Sequence, residues 1–488
     1  MKKNIGMICL FLAFVGCATV QEPDIARINE DVRLNAPSAG GFVNANLSIS
    51  SDLLDKLNFL AKTGSVDDVY TVNLENKLQV FYVCDTGSDE NDGLSHQTSW
   101  QTYEKARTKF ADLKAGEVIA FCRGGVFYTE NLNRWVNPEC KADNPCVVRD
   151  YSVKGFGAEE KPKIITEGTV FNLADKGNTS HEEGYVFKNL SLEGAGVGYG
   201  VVVTKDADDI LIDSLDINNF GIGVSVKDGT LNELGTDSDG VNERITLINS
   251  TITNNGDQGY LGACNDCKII NTKFQNNGFN KARRGHNLYI SGIQDTTNML
   301  VSGNEFYQSN IVDGICQGTS VTVHGIHKNL LIENNFIHED LGAVRGGCWG
   351  ISIAPGYDSV AESFEGVIIK NNVIKNMGAI AIGCTSCFDA VIEGNVIINR
   401  QDIPAYGIVL SHRINSVIDD AETKNIQIIG NNIQMTQVGV GIHLREAVME
   451  VIQINNNITK LLSEKASCIA QKNVLVYSEG LGNTCVYE

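Results

Sequence analysis

The chain has 488 residues and a formal net charge of −20, from 39 basic and 59 acidic side chains, with 49 glycines and 7 prolines. This acidic balance argues against a nucleic-acid partner, because binding to phosphates needs a basic surface. After the first seventeen residues, no stretch approaches the ~20 apolar residues that a membrane span requires.

The N-terminus has the pattern of an export signal. Two lysines precede an apolar run from Ile5 to Val15, which is too short for a mature spanning helix. The run leads into Phe-Val-Gly-Cys, which resembles a bacterial lipobox. This resemblance implies that residues 1–16 are a signal peptide, that Cys17 is lipid-modified, and that Ala18 directs sorting to the outer membrane. An ordinary secretory signal with an unmodified cysteine is the alternative.

We interpret residues 17–78 as a tether with one short amphipathic helix, because a Ser-Asp pair precedes four leucines at helical spacing (Leu53, Leu54, Leu57 and Leu60). Residues 79–184, the predicted N-terminal cap and first coils, contain the most specific motif. It is FYVCDTGSDENDGLSHQTSWQTYEKA (81–106), followed by GEVIAFCRGGVFY (116–128). The motif resembles the opening of bacterial right-handed parallel β-helix proteins of the pectate-lyase-like superfamily. The resemblance implies that fold and, as in its lyases and glycosidases, a polysaccharide partner.

The same motif suggests two local features. An amphipathic helix from 98 to 113 is expected to cap the open end of the solenoid, where an uncovered coil would expose strand edges. Asp85, Asp89, Asn91 and Asp92 offer hard oxygen ligands for calcium. A hydrogen-bonded turn without a metal is the alternative interpretation of this loop.

Residues 185–465, the predicted β-helix body, repeat a pair of short β-type runs. A marker residue in the second run recurs in steps from 22 residues (Ile248 to Ile270) to 37 residues (Ile332 to Ile369). Such units must stack to bury their apolar faces, so the period predicts a solenoid. The full marker set is Ile212, Ile248, Ile270, Val301, Ile332, Ile369, Ile392, Ile429 and Ile454. Asparagines after the markers predict an internal amide ladder of Asn304, Asn335, Asn372, Asn395 and Asn432. Residues 466–488 are expected to form a C-terminal cap.

Fourteen cysteines fit an exported protein. Without Cys9 and Cys17, twelve cysteines remain. The favoured disulfide partners are Cys84 with Cys122, Cys140 with Cys146, Cys316 with Cys348, and Cys468 with Cys485. Local disulfides are favoured within Cys264-Cys267 and within Cys384-Cys387. The two C-x-x-C pairs also fit zinc. Four coil steps of ~4.8 Å separate them, however, so one metal ion cannot bridge them.

Long insertions flank the first strand of successive coils and predict a groove whose floor is made by those strands. Alternation places Leu288/Ile290, Val321/Val323, Ile351/Ile353, Ile408/Leu410 and Ile442/Leu444 inward. The outward floor residues are then Tyr289, Ser291, Thr322, His324, Ser352, Ser411, His443 and Arg445, with Arg284, His286, His327, Arg345 and His412 at the rims. Five of the eight histidines fall in this zone.

The candidate catalytic residues are Arg284, His286, Tyr289, His324 and Arg345, and the candidate substrate-binding residues are Lys281, Arg283, Trp349, Tyr357, His412, His443 and Arg445. Cleavage of a uronate polymer by β-elimination needs carboxylate neutralisation, a base and an acid. The basic cluster of Lys281, Arg283 and Arg284 would neutralise the uronate carboxylate. His286 or His324 would act as the base, and Tyr289 would act as the acid. This arrangement is similar in general to that of β-helix lyases.

Three alternatives remain open at this stage. Hydrolysis needs two facing carboxylates, for which Asp313, Glu339, Asp340 and Asp358 are candidates. A C5-epimerase would use the same proton abstraction as the lyase. A non-catalytic glycan binder would instead need an open aromatic groove, which Tyr289, Trp349 and Tyr357 could line.

Overall fold

A computed structural model describes residues 79–130, 134–152, 160–174, 183–227, 242–280, 284–358, 360–412, 419–435, 438–445, 450–471 and 477–487. The chain is a right-handed parallel β-helix, as the sequence predicts. The predicted signal peptide, Cys17 and the tether helix lie outside the described residues. No helix in the described ranges is long and apolar enough to cross a membrane.

Each full coil contributes three strands. Two parallel ladders share a 27-stranded sheet, and the third strand joins a 13-stranded sheet. The floor ladder consists of Arg134–Trp135, Phe171–Ala174, Tyr199–Thr204, Ile222–Val226, Gln258–Gly262, His286–Thr297, Val321–Lys328, Ile351–Ile353, Ile380–Thr385, Ala405–Ser411, Gly439–Leu444 and Ser467–Gln471. The marker ladder consists of Val80–Val83, Val118–Cys122, Cys146–Tyr151, Tyr185–Lys188, Ile210–Asp213, Thr246–Ile248, Lys268–Ile270, Leu300–Ser302, Leu331–Glu333, Ile368–Lys370, Cys387–Glu393, Lys424–Ile429, Glu450–Asn455 and Tyr477–Glu479.

The thirteen-stranded sheet consists of Val126–Thr129, Lys163–Thr166, Ser191–Glu193, Asp216–Asn218, Thr251–Thr253, Lys273–Gln275, Glu305–Tyr307, Phe336–His338, Val373–Lys375, Val396–Asn399, Asn432–Met435, Ile458–Leu461 and Thr484–Tyr487. Ser363–Glu365 pairs with Val321–Lys328 and with Cys387–Glu393, which connects the floor and marker ladders. A two-stranded antiparallel hairpin, Ile311–Val312 with Ile315–Cys316, projects from one coil.

The second run of each predicted pair is two strands rather than one. A residue with positive φ separates them, for example Gly303 at 69° and Asn334 at 56°. Glycine and asparagine tolerate this left-handed conformation, so the chain turns sharply there and enters the thirteen-stranded sheet. The asparagines one position later, Asn304 and Asn335, belong to the predicted amide ladder, but a turn here was not predicted.

The register of the marker ladder confirms six of the nine markers and corrects three. Ile332 pairs with Ile369 in adjacent coils and both are fully buried. Ile248, Ile270 and Ile429 are each one residue out of register, and the core positions are Leu247, Ile269 and Ile428. A strand alternates its faces with a period of two, so a slip of one residue puts the neighbouring side chain on the wrong face.

An internal ladder of asparagine side chains runs along the sharp turns. After the first member, each side-chain oxygen accepts hydrogen bonds from the backbone and side-chain amides of the preceding member, at 2.9 to 3.2 Å. The members are Asn304, Asn335, Asn372, Asn395, Asn431, Asn457 and Asn483. The prediction of Asn432 is therefore wrong by one position. Asn432 begins a strand and is half-buried.

The N-terminal helix is shorter than predicted. A 3-10 turn, His96–Thr98, precedes an α-helix at Tyr103–Phe110 that begins after Thr102, whose side chain accepts from the Lys105 amide. Buried Tyr103 and Phe110 pack with Trp135 at 5.4 and 5.0 Å between ring centres. The first coils thus hold an aromatic cluster against the helix.

All six favoured cysteine pairs are disulfides in the structure: Cys84–Cys122, Cys140–Cys146, Cys264–Cys267, Cys316–Cys348, Cys384–Cys387 and Cys468–Cys485. The zinc interpretation of the C-x-x-C pairs is therefore wrong, since a disulfide has no thiolate to offer a metal. Cys316–Cys348 fastens the loops that precede two neighbouring floor strands.

Candidate functional site

The floor ladder presents its side chains as predicted. All ten residues assigned inward are fully buried in the core. The strand register then aligns the outward residues of successive coils in one column: Ser225, Leu261, Tyr289, Thr322, Ser352, Gly383, Val409 and His443. We call this line the floor column.

Four aromatic side chains form a continuous row across three coils. The ring of Tyr289 meets His286 edge-on at 5.5 Å and His324 edge-on at 5.4 Å between centres. Tyr357 follows at 6.0 Å from His324, and its hydroxyl hydrogen-bonds to Ser291. We call His286, Tyr289, Ser291, His324 and Tyr357 the floor cluster. The structure thus brings together four of the predicted site residues.

His286 is more enclosed than a rim position would be. Its side chain is only 8% exposed, with Nδ1 3.1 Å from the carbonyl oxygen of Thr319 and 3.4 Å from the hydroxyl of Thr322. Burial lowers its pKa to about 4, so the ring is neutral near pH 7. Nδ1 also lies 3.3 Å from the Thr319 backbone amide, which can donate to it. Nε2 is the acceptor when Nδ1 donates to the Thr319 carbonyl, and Nε2 carries the proton when Nδ1 accepts from the Thr319 amide.

Tyr289 stays protonated over a wide pH range. It is half-buried, and burial together with the nearby Tyr357 and Glu362 raises its pKa above the ordinary value of a tyrosine. A phenol held in this form can give a proton but is a poor base at neutral pH. The acid role of Tyr289 stays a prediction.

Hydrogen bonds to Ala354 and His327 hold His324 in place. Its Nδ1 hydrogen-bonds to the carbonyl oxygen of Ala354, and its own carbonyl oxygen lies 2.9 Å from Nε2 of His327. His327 was predicted at the rim but is 1% exposed and stacks on Phe364, so that prediction is wrong. His327 lies at the same alternate positions as the inward Val321 and Val323 of its strand, so its side chain points inward. His327 therefore supports the floor instead of lining it.

Glu362 is a residue that the sequence interpretation missed. It is fully buried, and its carboxylate accepts the backbone amides of Gly325 at 2.5 Å, Gly356 at 2.6 Å and Tyr357 at 2.5 Å. It therefore ties the loop that carries Tyr357 to the strand that carries His324. Its sequence neighbourhood gives no signal, because the bonds to Gly325 depend on coil stacking.

Of the basic residues predicted near the floor cluster, the structure describes Arg284 and Arg345. Arg284 is exposed beside the cluster, and its carbonyl oxygen accepts from the side chain of Gln258 at 2.8 Å. Arg345 is exposed and lies between the Cys316 and Cys348 backbones, hydrogen-bonded to both. Lys281 and Arg283 lie outside the described residues.

The predicted binding residues occupy two parts of the floor. Trp349 is half-buried two residues before the inward Ile351, just as His286 precedes Leu288, and its Nε1 donates to the Gly346 carbonyl at 2.8 Å. His443 and Arg445 lie several coils further along. His412 is half-buried, and its Nδ1 is a buried atom with no hydrogen-bond partner among the described residues.

The carboxylates considered for hydrolysis do not form a facing pair on the floor. Asp313 and Asp358 are exposed on loops, and Asp340 accepts the Tyr307 hydroxyl at 2.6 Å. Glu339 is buried, accepts the Ser309 amide at 2.9 Å, and has its pKa raised by burial to about 8. The contact of Asp340 places it beside the thirteen-stranded sheet. The Glu339 carboxylate lies within 4.8 Å of the Cys316 and Cys348 sulfurs, beside the loops that precede two floor strands.

The acidic loop near the N-terminus forms the hydrogen-bonded turn. Asp89 accepts three bonds from Gln101 and Thr102 at 2.6 to 3.0 Å, and Asp92 accepts from Leu94 and Thr98. Asp85 accepts the Val126 amide at 3.0 Å, whereas Asn91 donates to Ser99. The loop's carboxylates do not converge as a group among the described residues. This donor set does not fit a calcium cage.

No protein-family model matches the chain, and no curated protein matches its sequence. Solved structures similar to it include a lacto-N-biosidase from Eubacterium ramulus (14% identity, 85% of this chain and 68% of that chain, TM-score 0.47) and a pectate lyase (11%, 83% and 80%, TM-score 0.38). A surface adhesin of Streptococcus pneumoniae is also similar (12%, 76% and 88%, TM-score 0.42). All three TM-scores are below 0.5, so the fold class, a parallel β-helix, rests on the parallel strand pairing described above.

Proposed function

We propose that the protein is a polysaccharide lyase that cleaves a uronate-containing glycan by β-elimination at the floor cluster. The observation that carries this proposal is the position of a protonated Tyr289 between two imidazoles, His286 and His324. A base and an acid within one sugar's reach are what the elimination needs. Adjacent strands lie ~4.8 Å apart, so both groups reach the same sugar unit.

In the proposed step, a histidine Nε2 removes the proton at C5 of the uronate. The electron pair forms the C4–C5 double bond, the C4–O bond breaks, and the leaving oxygen takes the proton of Tyr289. His324 is the favoured base because His286 is more deeply enclosed. Arg284, with Lys281 and Arg283, is assigned to neutralise the uronate carboxylate, which raises the acidity at C5.

The test is a panel of acidic and neutral glycans, followed by ultraviolet absorbance of the unsaturated product and, separately, by reducing ends. Tyr289→Phe and His324→Ala should each lower kcat by ~10²–10⁴-fold, the range for a general acid or base. His338→Ala is the matched control, since His338 lies on the thirteen-stranded sheet. Reducing ends without unsaturation would point to a hydrolase. Wild-type rates in both floor variants would refute this site.

We also propose that the protein is exported and anchored by lipid at Cys17, at the outer membrane. The signal-like N-terminus supports this, and six disulfides fit an oxidising compartment. Labelling of cells with a fatty-acid analogue should mark the wild-type protein and leave Cys17→Ser unlabelled. Equal labelling of both would contradict the anchor.

A further inference from the structure

A second cluster of side chains lies on the same floor, several coils from the floor cluster. The guanidinium carbon of Arg445 lies 4.3 Å from the ring centre of Tyr406. The rings of Tyr406 and His443 stack at 5.3 Å with 25° between their planes. Nε of Arg445 donates to Nδ1 of His443 over 3.1 Å. We call these three residues the distal cluster.

These contacts hold the Arg445 side chain in one orientation. The tyrosine face supports the planar guanidinium, and the imidazole engages its Nε. Burial and the adjacent Arg445 lower the pKa of His443, which keeps the ring neutral and able to accept. In this geometry the two terminal NH₂ groups form a donor pair matched to a carboxylate.

The distal cluster repeats the strand positions of the floor cluster. His443 lies in the floor column with Tyr289. Tyr406 precedes the inward Ile408 by two residues, as His286 precedes Leu288. Both clusters therefore face the same side of the solenoid, along one straight line of parallel strands.

The floor between the clusters carries small side chains. The floor column passes through Thr322, Ser352, Gly383 and Val409, and the next outward positions include Thr385 and Ser411, whose hydroxyls lie 2.6 Å apart. From Tyr289 to His443 there are five strand steps, or ~24 Å at ~4.8 Å each. Thr322, Ser352 and Val409 are only 3 to 6% exposed, so an acidic oligomer would lie over these short side chains, and the separation matches an extended chain of several sugar units.

We propose that the distal cluster is a subsite that binds the carboxylate of a second uronate in the same chain, several units from the cleaved bond. The inference rests on the proposed function and specifies its substrate as an acidic oligomer. Because the protein carries a net charge of −20, it repels an acidic polymer at long range. A local, oriented arginine offsets that repulsion where the chain must lie.

The experiment compares acidic oligosaccharides of increasing length, from disaccharide to decasaccharide, of galacturonate and of alginate. The ratio of wild-type to Arg445→Gln kcat/KM should rise with length and reach about tenfold, equivalent to about 1.4 kcal/mol, once the oligomer spans both clusters. Arg445→Lys should recover part of the loss, because lysine keeps the charge but not the planar donor pair. Arg400→Gln is the control, since exposed Arg400 follows a strand of the thirteen-stranded sheet.

Calorimetric titration with the same oligomers separates this inference from the lyase proposal. Length-dependent binding that Arg445→Gln weakens, without unsaturated product, would keep the distal subsite and refute the lyase. Cleavage with a ratio that is the same at every length would refute the subsite alone. Neither binding nor cleavage of any acidic oligomer would overturn both.

Discussion

Replacement of one asparagine in the internal ladder should destabilise the solenoid far more than replacement of its sequence neighbour. The buried Asn431 side chain donates to the Ile392 carbonyl and to Asn457, both at 2.9 Å. It also accepts the Asn395 backbone amide at 3.0 Å and the Asn395 side-chain amide at 2.9 Å. Asn432 is half-buried at the start of a strand.

Asn431→Ala leaves two amide donors of the fully buried Asn395 without their acceptor. A buried donor without a partner costs about 1–3 kcal/mol, so we expect a loss of ~2–6 kcal/mol in the free energy of unfolding. For Asn432→Ala we expect a change within about 0.5 kcal/mol, as for most surface substitutions.

Urea denaturation followed by circular dichroism gives both values by linear extrapolation, with the slope as a check on the unfolding transition. Hydrogen exchange of the peptides on either side should show faster opening in Asn431→Ala alone. Equal losses in the two variants would refute the argument that the ladder amides are essential to the stacking of the coils.

Two further predictions concern titration and covalent structure. The native state keeps a proton on Glu339, with a pKa of about 8 against an ordinary 4.5, so stability should fall as the pH rises from about 5 to 8. Glu339→Gln removes this pH dependence of stability. The melting temperature of the variant minus that of the wild type should therefore increase from pH 5.5 to pH 8. The same difference at both pH values would contradict the prediction. Non-reducing peptide mapping should find Cys316 joined to Cys348. Replacement of both by alanine should lower the free energy of unfolding by ~3–4 kcal/mol in the chain-entropy model. Free thiols at both positions in exported protein would contradict the pairing.

The sequence predicted the fold well because its signal is repeated in every coil. Inward residues such as Val321 and Ile351 alternate clearly, so the floor strands and their partners follow directly from period-two burial. The inward residues of the second runs were harder to predict. Two adjacent isoleucines, such as Ile269 and Ile270, do not reveal which of them points inward, and only pairing with the next coil decides it.

The candidate site was predictable where it depends on alternation and not where it depends on loops. Tyr289 and His324 are two of the outward floor residues, so the pattern found them. His327 follows the inward Val321 and Val323 at alternate positions of the same strand, and it was misplaced because the predicted strand was not continued past His324. Glu362 joins the nearby amides of Gly356 and Tyr357 to the amide of Gly325 in the neighbouring coil, and no local spacing encodes that last contact. Tyr406 was missed because the strand that contains it was aligned only from Ile408 onward.

The spacing of the floor strands also makes the coil a natural unit of evolutionary change. The coil that begins at Ile380 is in direct register with the next coil, and its buried Ile382 and Cys384 pair with the buried Ile408 and Leu410. Duplication or deletion of such a segment would preserve stacking while it moved one end of the floor relative to the other by a single strand width. Gene duplication could therefore lengthen or shorten this groove in equal increments without any redesign of the residues at either end.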